Sequence, residues 1–148
     1  MRAVVQRVDW AKVKVAGKTV GAIGQGLLVL LGVKDGDGPP QARWLADKCL
    51  NLRIFEDETG KMNRSVRDLG GELLVVSQFT LYGDAGKGRR PSFGAAARPE
   101  ISEPLYRFFV DTLTQESDLK VATGEFGAEM EVELCNHGPV TLIVESAK

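Results

Sequence analysis

The chain has 148 residues, 43% hydrophobic and 26% charged, a composition that suits one globular domain burying its own core without metal or disulfide staples. A formal net charge of -1 excludes a strongly basic surface, so any nucleic-acid contact has to come from a local patch. Cys49 and Cys135 stand far apart and in no Cys-X-X-Cys pair, the pattern of two small buried hydrophobes in a reduced protein.

The opening residues Met1–Arg7 carry no long apolar stretch of the secretory kind. The longest apolar run, Leu27–Leu31, is too short to span a bilayer. A cytoplasmic protein is the expectation. Val13 and Val15 alternate with Lys12 and Lys14, which predicts a half-buried strand. Ala16-Gly17-Lys18 then predicts a tight turn into a strand over Thr19–Ile23. Leu27–Val33 is apolar apart from Gly32 and predicts a strand covered on both faces.

After a loop at Lys34–Gly38, Pro39 and Pro40 suit the first turn of a helix. Trp44, Leu45, Cys49 and Leu52 recur at helical spacing, so an amphipathic helix is predicted over Pro39–Asn51. Arg53–Glu56 and Glu72–Phe79 read as strands, with a turn at Asp57–Lys61 and irregular chain over Asn63–Gly71. Thr80–Glu100 reads as a long loop rich in Gly, Arg and Pro, a length that is usually functional or mobile.

Ser102 is a candidate cap for a second helix, lined on one face by Leu105, Phe108, Phe109, Thr112 and Leu113. Three strands are predicted to finish the chain, near Leu119–Thr123, Glu129–Asn136 and Val140–Glu145. In the middle one, Met130, Val132 and Leu134 alternate with Glu129, Glu131 and Glu133, wet on one side. Together these elements predict a single sheet-rich α/β domain over residues 1–148, with two amphipathic helices packed on a mixed β-sheet.

Much familiar chemistry has no residues to carry it. His137 is the single histidine, and no Gly-X-Ser-X-Gly elbow occurs. Nor is there a zinc set of several His or Cys, or a Gly-X4-Gly-Lys-Ser/Thr phosphate loop. The glycines of Gly21–Gly26 lead into a strand rather than a helix and read as a turn. An enzyme built on this chain is expected to work without metal or cofactor, using positioned backbone donors and groups of its own substrate.

Two segments stand out. Ser77-Gln78-Phe79-Thr80-Leu81-Tyr82-Gly83-Asp84 follows the apolar run Leu73–Val76, where polar groups at a strand end are free to face a ligand. Taken alone it reads rather as a capped strand end. Asn136-His137-Gly138-Pro139-Val140-Thr141 reads, by itself, as a hairpin turn. Taken together, the two segments closely resemble those of the D-aminoacyl-tRNA deacylase family, and the resemblance runs along almost the whole chain. Met1–Val8, Gly26–Val33, Asn51–Phe55, Gly86–Phe93 and Gly124–Met130 are similar to further segments of that family. His137 departs from it, since Asp is more usual there.

The resemblance implies a homodimer in which each subunit inserts a cis Gly138–Pro139 bend into the partner's site. The main-chain carbonyls of Gly138 and Pro139 would then form a chirality filter, excluding an L side chain and ignoring a D side chain. It implies that Ser77, Gln78, Phe79 and Thr80 surround the scissile ester of a D-aminoacyl-tRNA. Backbone N–H groups would hold the oxyanion, and water would attack with help from the terminal 2′-OH. It further implies that Phe126 and Met130 form the pocket of the terminal adenine. Lys87, Arg89 and Arg90 are candidates for contact with acceptor-end phosphates, or are only a solvated loop.

Thr80 as an acyl-accepting nucleophile and His137 as a general base remain alternatives, the first lacking an evident base and the second an evident orienting partner. Phe126 and Met130 could instead be core packing. Three other functions stay open: a non-catalytic module binding tRNA ends, a hydrolase of small D-amino-acid esters, and a purely structural dimer.

Overall fold

The computed structural model describes residues 1–147. The organising element is β1 (Arg2–Val15), a 14-residue strand used along both edges. On one edge, β2 (Lys18–Ile23) pairs antiparallel with its second half, and β3 (Gly26–Gly32) continues the return along its first half. The turn between β1 and β2 is tight, with Ala16 and Gly17 both at positive φ, 51° and 79°. On the other edge, β8 (Glu131–Glu145) pairs antiparallel from Lys14 back to Arg2.

The sheet extends beyond β3 in parallel, through β6 (Glu72–Ser77) to β7 (Val121–Thr123). Parallel neighbours need long crossovers. The one from β3 to β6 carries α1 (Pro39–Asn51), the small hairpin of β4 (Phe55–Glu56) and β5 (Met62–Arg64), and the single helical turn α2 (Val66–Leu69). The one from β6 to β7 carries α3 (Pro99–Gln115). The sheet curls until β2 lies over β7. A Cβ at Gly21 would sit 2.2 Å from the carbonyl oxygen of Thr123, so only glycine permits that approach.

Alternation along β3 and β6 divides the core. Leu27, Leu31, Leu73 and Val75 face α1 and α3, meeting Leu45, Cys49, Phe109 and Leu113. Leu28, Leu74 and Val76 face the other way, into the curl, with Val8, Ala11 and Val13 of β1 and the half-buried Met130, Val132 and Leu134. Each fully buried Leu or Phe contributes about 1.5–3 kcal/mol relative to exposure. The mixed sheet with helices on one face is the α/β architecture expected from sequence.

Several local expectations are corrected. Trp44 is 43% exposed rather than on the buried face of α1, which is made by Ala42, Leu45, Ala46 and Cys49; its ring lies under Lys48 Nζ at 5.1 Å. The strand expected over Arg53–Glu56 shrinks to two residues, and Asn63–Gly71 holds a strand end and a helical turn. Cys49 is buried, whereas Cys135 is only half-buried. Ser102 does not cap α3: the helix starts at Pro99, whose ring presets the backbone, with Arg98 at the cap position. No helix among the described residues is long and apolar enough to cross a membrane.

The largest correction concerns the end of the chain. No hairpin reverses it at Gly138–Pro139. Both predicted strands belong to β8 and pair with β1 in the same direction. From Val8 to Gln6 β1 takes two steps, while β8 takes five from Asn136 to Thr141, so the chain bulges out and rejoins the ladder.

Candidate active site

β6 ends at Ser77, its last pairing partner being Leu31. Gln78 leaves the sheet with its N–H donating to the Leu31 carbonyl at 2.8 Å, and Phe79–Tyr82 then form a 3-10 turn. A helical start leaves N–H groups without intrahelical acceptors. Leu81 N–H bonds to Gln78 (3.2 Å) and Gly83 N–H to Thr80 (2.9 Å), but the N–H groups of Phe79 and Thr80 have no acceptor among the described residues. The Gln78 amide donates to the hydroxyl of Thr80. Thr80 is therefore held by a donor, and among the described residues no base is hydrogen-bonded to it.

This strand end opens into a cleft of about 590 Å³. Leu31, Val33, Val76, Ser77, Gln78 and Phe79 form one side of it. Ala96, Ala97, Pro99 and Ser102 come from the start of α3 and the loop before it. Phe126, Gly127, Ala128, Met130 and Val132 come from the approach to β8 and its first residues. Phe93 completes the lining, its ring edge-on to the 57%-exposed Phe79 at 5.3 Å. None of these lining side chains is ionisable.

The walls are tied together from behind. The Tyr106 hydroxyl, on α3, donates to the Val75 carbonyl of β6 at 2.9 Å, fixing the helix two residues before Ser77. Burial pushes the Tyr106 phenol up to about 12, so it stays a donor. Its ring lies 5.7 Å from that of Phe126. Of the residues singled out from sequence, Ser77, Gln78, Phe79, Phe126 and Met130 thus meet in one cleft, with Thr80 bonded to Gln78.

Gly138 and Pro139 lie elsewhere in the chain. They are exposed on the β8 bulge, joined by a cis peptide bond, and neither lines the cleft. The bulge is held from within its own motif. Asn136 Oδ1 accepts the Val140 N–H at 2.8 Å, and Asn136 Nδ2 donates to the Thr141 hydroxyl at 2.8 Å. The buried guanidinium of Arg7 donates to the carbonyls of His137 (Nε, 3.0 Å) and Ile54 (Nη1, 2.8 Å). His137 gains the orienting partner that sequence left out, with Nδ1 2.8 Å from Asp9 Oδ1, but it does not line the cleft.

Lys87, Arg89 and Arg90 are exposed in the loop closed by the Asp84–Ser92 bridge and stand outside the cleft lining. The sequence gives no site role to Arg7, Asp9 or Phe93, and to Ser102 only that of a helix cap. A signal existed for Arg7, a charge inside the apolar alternation of β1, and for Asn136, within the motif itself.

The sequence and the fold were compared with known proteins. A protein of Natranaerobius thermophilus named D-aminoacyl-tRNA deacylase is 58% identical over 148 residues, covering 100% of this chain and 99% of its own. One of that name from Desulfatibacillum aliphaticivorans is 62% identical over 146 residues, covering 99% of each chain. Among solved structures, one titled c-Myc DNA Unwinding Element Binding Protein aligns with a TM-score of 0.94 at 44% identity, over 100% of both chains. Another, titled as a probable eukaryotic D-amino acid tRNA deacylase, shares the fold with a TM-score of 0.86 at 19% identity, over 97% of this chain and 98% of its own. The family model described as D-Tyr-tRNA(Tyr) deacylase matches residues 4–145, and the chain belongs to that family.

Proposed function

We propose that this protein hydrolyses the ester bond of D-aminoacyl-tRNA, releasing the D-amino acid and intact tRNA. The observation that carries the reading is the uncharged cleft lined by Phe79, whose backbone N–H, like that of the next residue Thr80, has no acceptor among the described residues. An aminoacyl ester is an activated electrophile. What it needs is a donor for the developing oxyanion, and one such donor is worth roughly 3–4 kcal/mol. With no ionisable side chain in the lining, no general base comes from the cleft walls. Water is the nucleophile in this reading, oriented by the substrate's own 2′-OH. Ser77, Gln78, Phe79 and Thr80 shape the ester site, and Phe126 and Met130 receive the terminal adenine.

The chirality filter of this reading is the pair of carbonyls at Gly138 and Pro139. Because they sit outside the cleft of their own chain, they reach one only in a second copy. The unit proposed is therefore a homodimer. The outer face of β8 supports this pairing, with Ile143 exposed by 72%. Lys87, Arg89 and Arg90 are proposed to meet acceptor-end phosphates from their exposed loop.

The test is a deacylation assay on D-tyrosyl-, L-tyrosyl- and glycyl-tRNA. Expected are rapid loss of the D ester, retention of the L ester, and measurable cleavage of the glycyl ester, which has no side chain to exclude. Equal rates on the two tyrosyl enantiomers would overturn the filter. No cleavage of any of the three would overturn the hydrolase.

A further inference from the structure

Ser102 caps nothing. It lies within the first turns of α3, half-buried, in the lining of the cleft. Three other hydroxyls on or just after this helix fold back onto it: Thr112 to Phe108 (2.7 Å), Thr114 to Val110 (3.0 Å) and Ser117 to Leu113 (2.7 Å). Ser102 does not. The carbonyl four residues earlier, Arg98, already accepts the N–H groups of Ile101 (2.9 Å) and Ser102 (2.8 Å). Among the described residues no hydrogen bond uses the Ser102 hydroxyl. Its neighbours in the cleft wall are the apolar Ala96, Ala97 and Pro99. A polar group placed in an apolar wall loses free energy when a ligand displaces its water, unless the ligand supplies a partner.

The position along the helix says which part of a ligand that is. Ser102 is one turn before Tyr106, and the Tyr106 ring lies 5.7 Å from that of Phe126. Ser102 therefore shares the cleft lining with Phe126, on the helix that packs Tyr106 against it. An aromatic face can stack on any base, so Phe126 alone cannot tell one base from another. A hydroxyl beside it can, because base edges differ in donors and acceptors. We propose that Ser102 reads the terminal nucleobase, its O–H pairing with the six-membered-ring edge of adenine. This rests on the deacylase reading above and adds a base-selecting residue to it.

Two non-hydrolysable ligands test it. One is the 3′-amide analogue of D-tyrosyl-adenosine. The other carries benzimidazole in place of adenine, keeping a flat double ring and losing the nitrogens and amino group of the six-membered ring. Binding is measured by calorimetry to the wild-type chain, to Ser102→Ala and to Ser102→Thr, which keeps a hydroxyl. Ser102→Ala is expected to weaken the adenine ligand by about threefold to tenfold, the worth of one neutral hydrogen bond, and to leave the benzimidazole ligand unchanged. Ser102→Thr is expected to keep the wild-type preference. On D-tyrosyl-tRNA, Ser102→Ala raises KM at unchanged kcat. Equal weakening of both ligands, or of neither, overturns the inference even where D-tyrosyl-tRNA is cleaved normally. A wild-type chain that binds neither ligand and cleaves no D-aminoacyl-tRNA overturns the deacylase reading as well.

Discussion

Arg7 reaches across from β1 to hold the carbonyl of His137 at 3.0 Å, one residue before Gly138. The same guanidinium holds Ile54 at 2.8 Å, so one side chain ties the β8 bulge to the chain entering β4. Lysine is a point donor without this fork and cannot serve both carbonyls. Arg7→Lys is expected to destabilise the fold by about 1–3 kcal/mol, the usual cost of a buried acceptor left unpaired. It is also expected to narrow the ratio of D- to L-tyrosyl-tRNA cleavage, because the bulge carbonyls lose their brace. Urea melts and paired deacylation rates check the two effects. An unchanged ratio in a destabilised variant would assign Arg7 to stability alone.

Thr80 offers a hydroxyl at the site, yet it accepts a hydrogen bond from Gln78 rather than giving one to a base. Thr80→Ala is therefore expected to keep deacylation of D-tyrosyl-tRNA within about tenfold of wild type, the worth of one polar contact. Loss of a true nucleophile costs far more, on the order of a million-fold in a well-studied hydrolase. A fall of that kind in single-turnover rates would make Thr80 the acyl acceptor.

The two thiols should separate cleanly. Burial pushes Cys49 up to about 12, which leaves almost no thiolate at neutral pH, and the residue is enclosed in the α1 core. Cys135 is half-buried on β8. A thiol reagent is expected to modify one cysteine in the folded protein and the second only in denaturant. Prompt reaction of both under native conditions would show that α1 opens readily.

A pH effect on stability is expected at α2. Ser65 and Asp68 form a capping box: Ser65 N–H donates to Asp68 Oδ2 at 2.9 Å and Asp68 N–H to Ser65 Oγ at 3.0 Å. The Ser65 backbone N–H first, and then the Ser65 side chain, hold the Asp68 carboxyl below its usual value. A depressed carboxyl stabilises the fold above its unfolded pKa, and the gain disappears as pH falls through the folded one. Ser65→Ala is thus expected to lower Tm at pH 7 and to differ less from wild type near pH 3. An equal gap at both values would mean that the Ser65 hydroxyl does not act through the Asp68 charge.

The sequence by itself determined the pieces whose cause is local. α1 begins at its prolines and ends at Asn51 as its apolar spacing required, and β3 is buried on both faces because its apolar run has no polar alternation. The absence of a histidine set or a phosphate loop was equally visible. The two motifs were legible as segments, since Ser77–Thr80 follows an apolar strand and Gly138–Pro139 interrupts one.

What only the tertiary structure decided is how distant pieces stand to one another. Gly-Pro after a strand is compatible with reversal or with a bulge; pairing of both halves of β8 with one long β1 selects the bulge. Trp44 suits an apolar stripe by spacing, but Ala42, Leu45, Ala46 and Cys49 make the buried face of α1, and the indole is left outside under Lys48. Ser102 looks like a cap until Pro99 starts the helix earlier and leaves Ser102 in the cleft wall. His137 looks unpartnered until β1 brings Asp9 beside it. For the Gly138–Pro139 bulge and for His137 the deciding contact joins residues far apart in sequence, which no local pattern encodes.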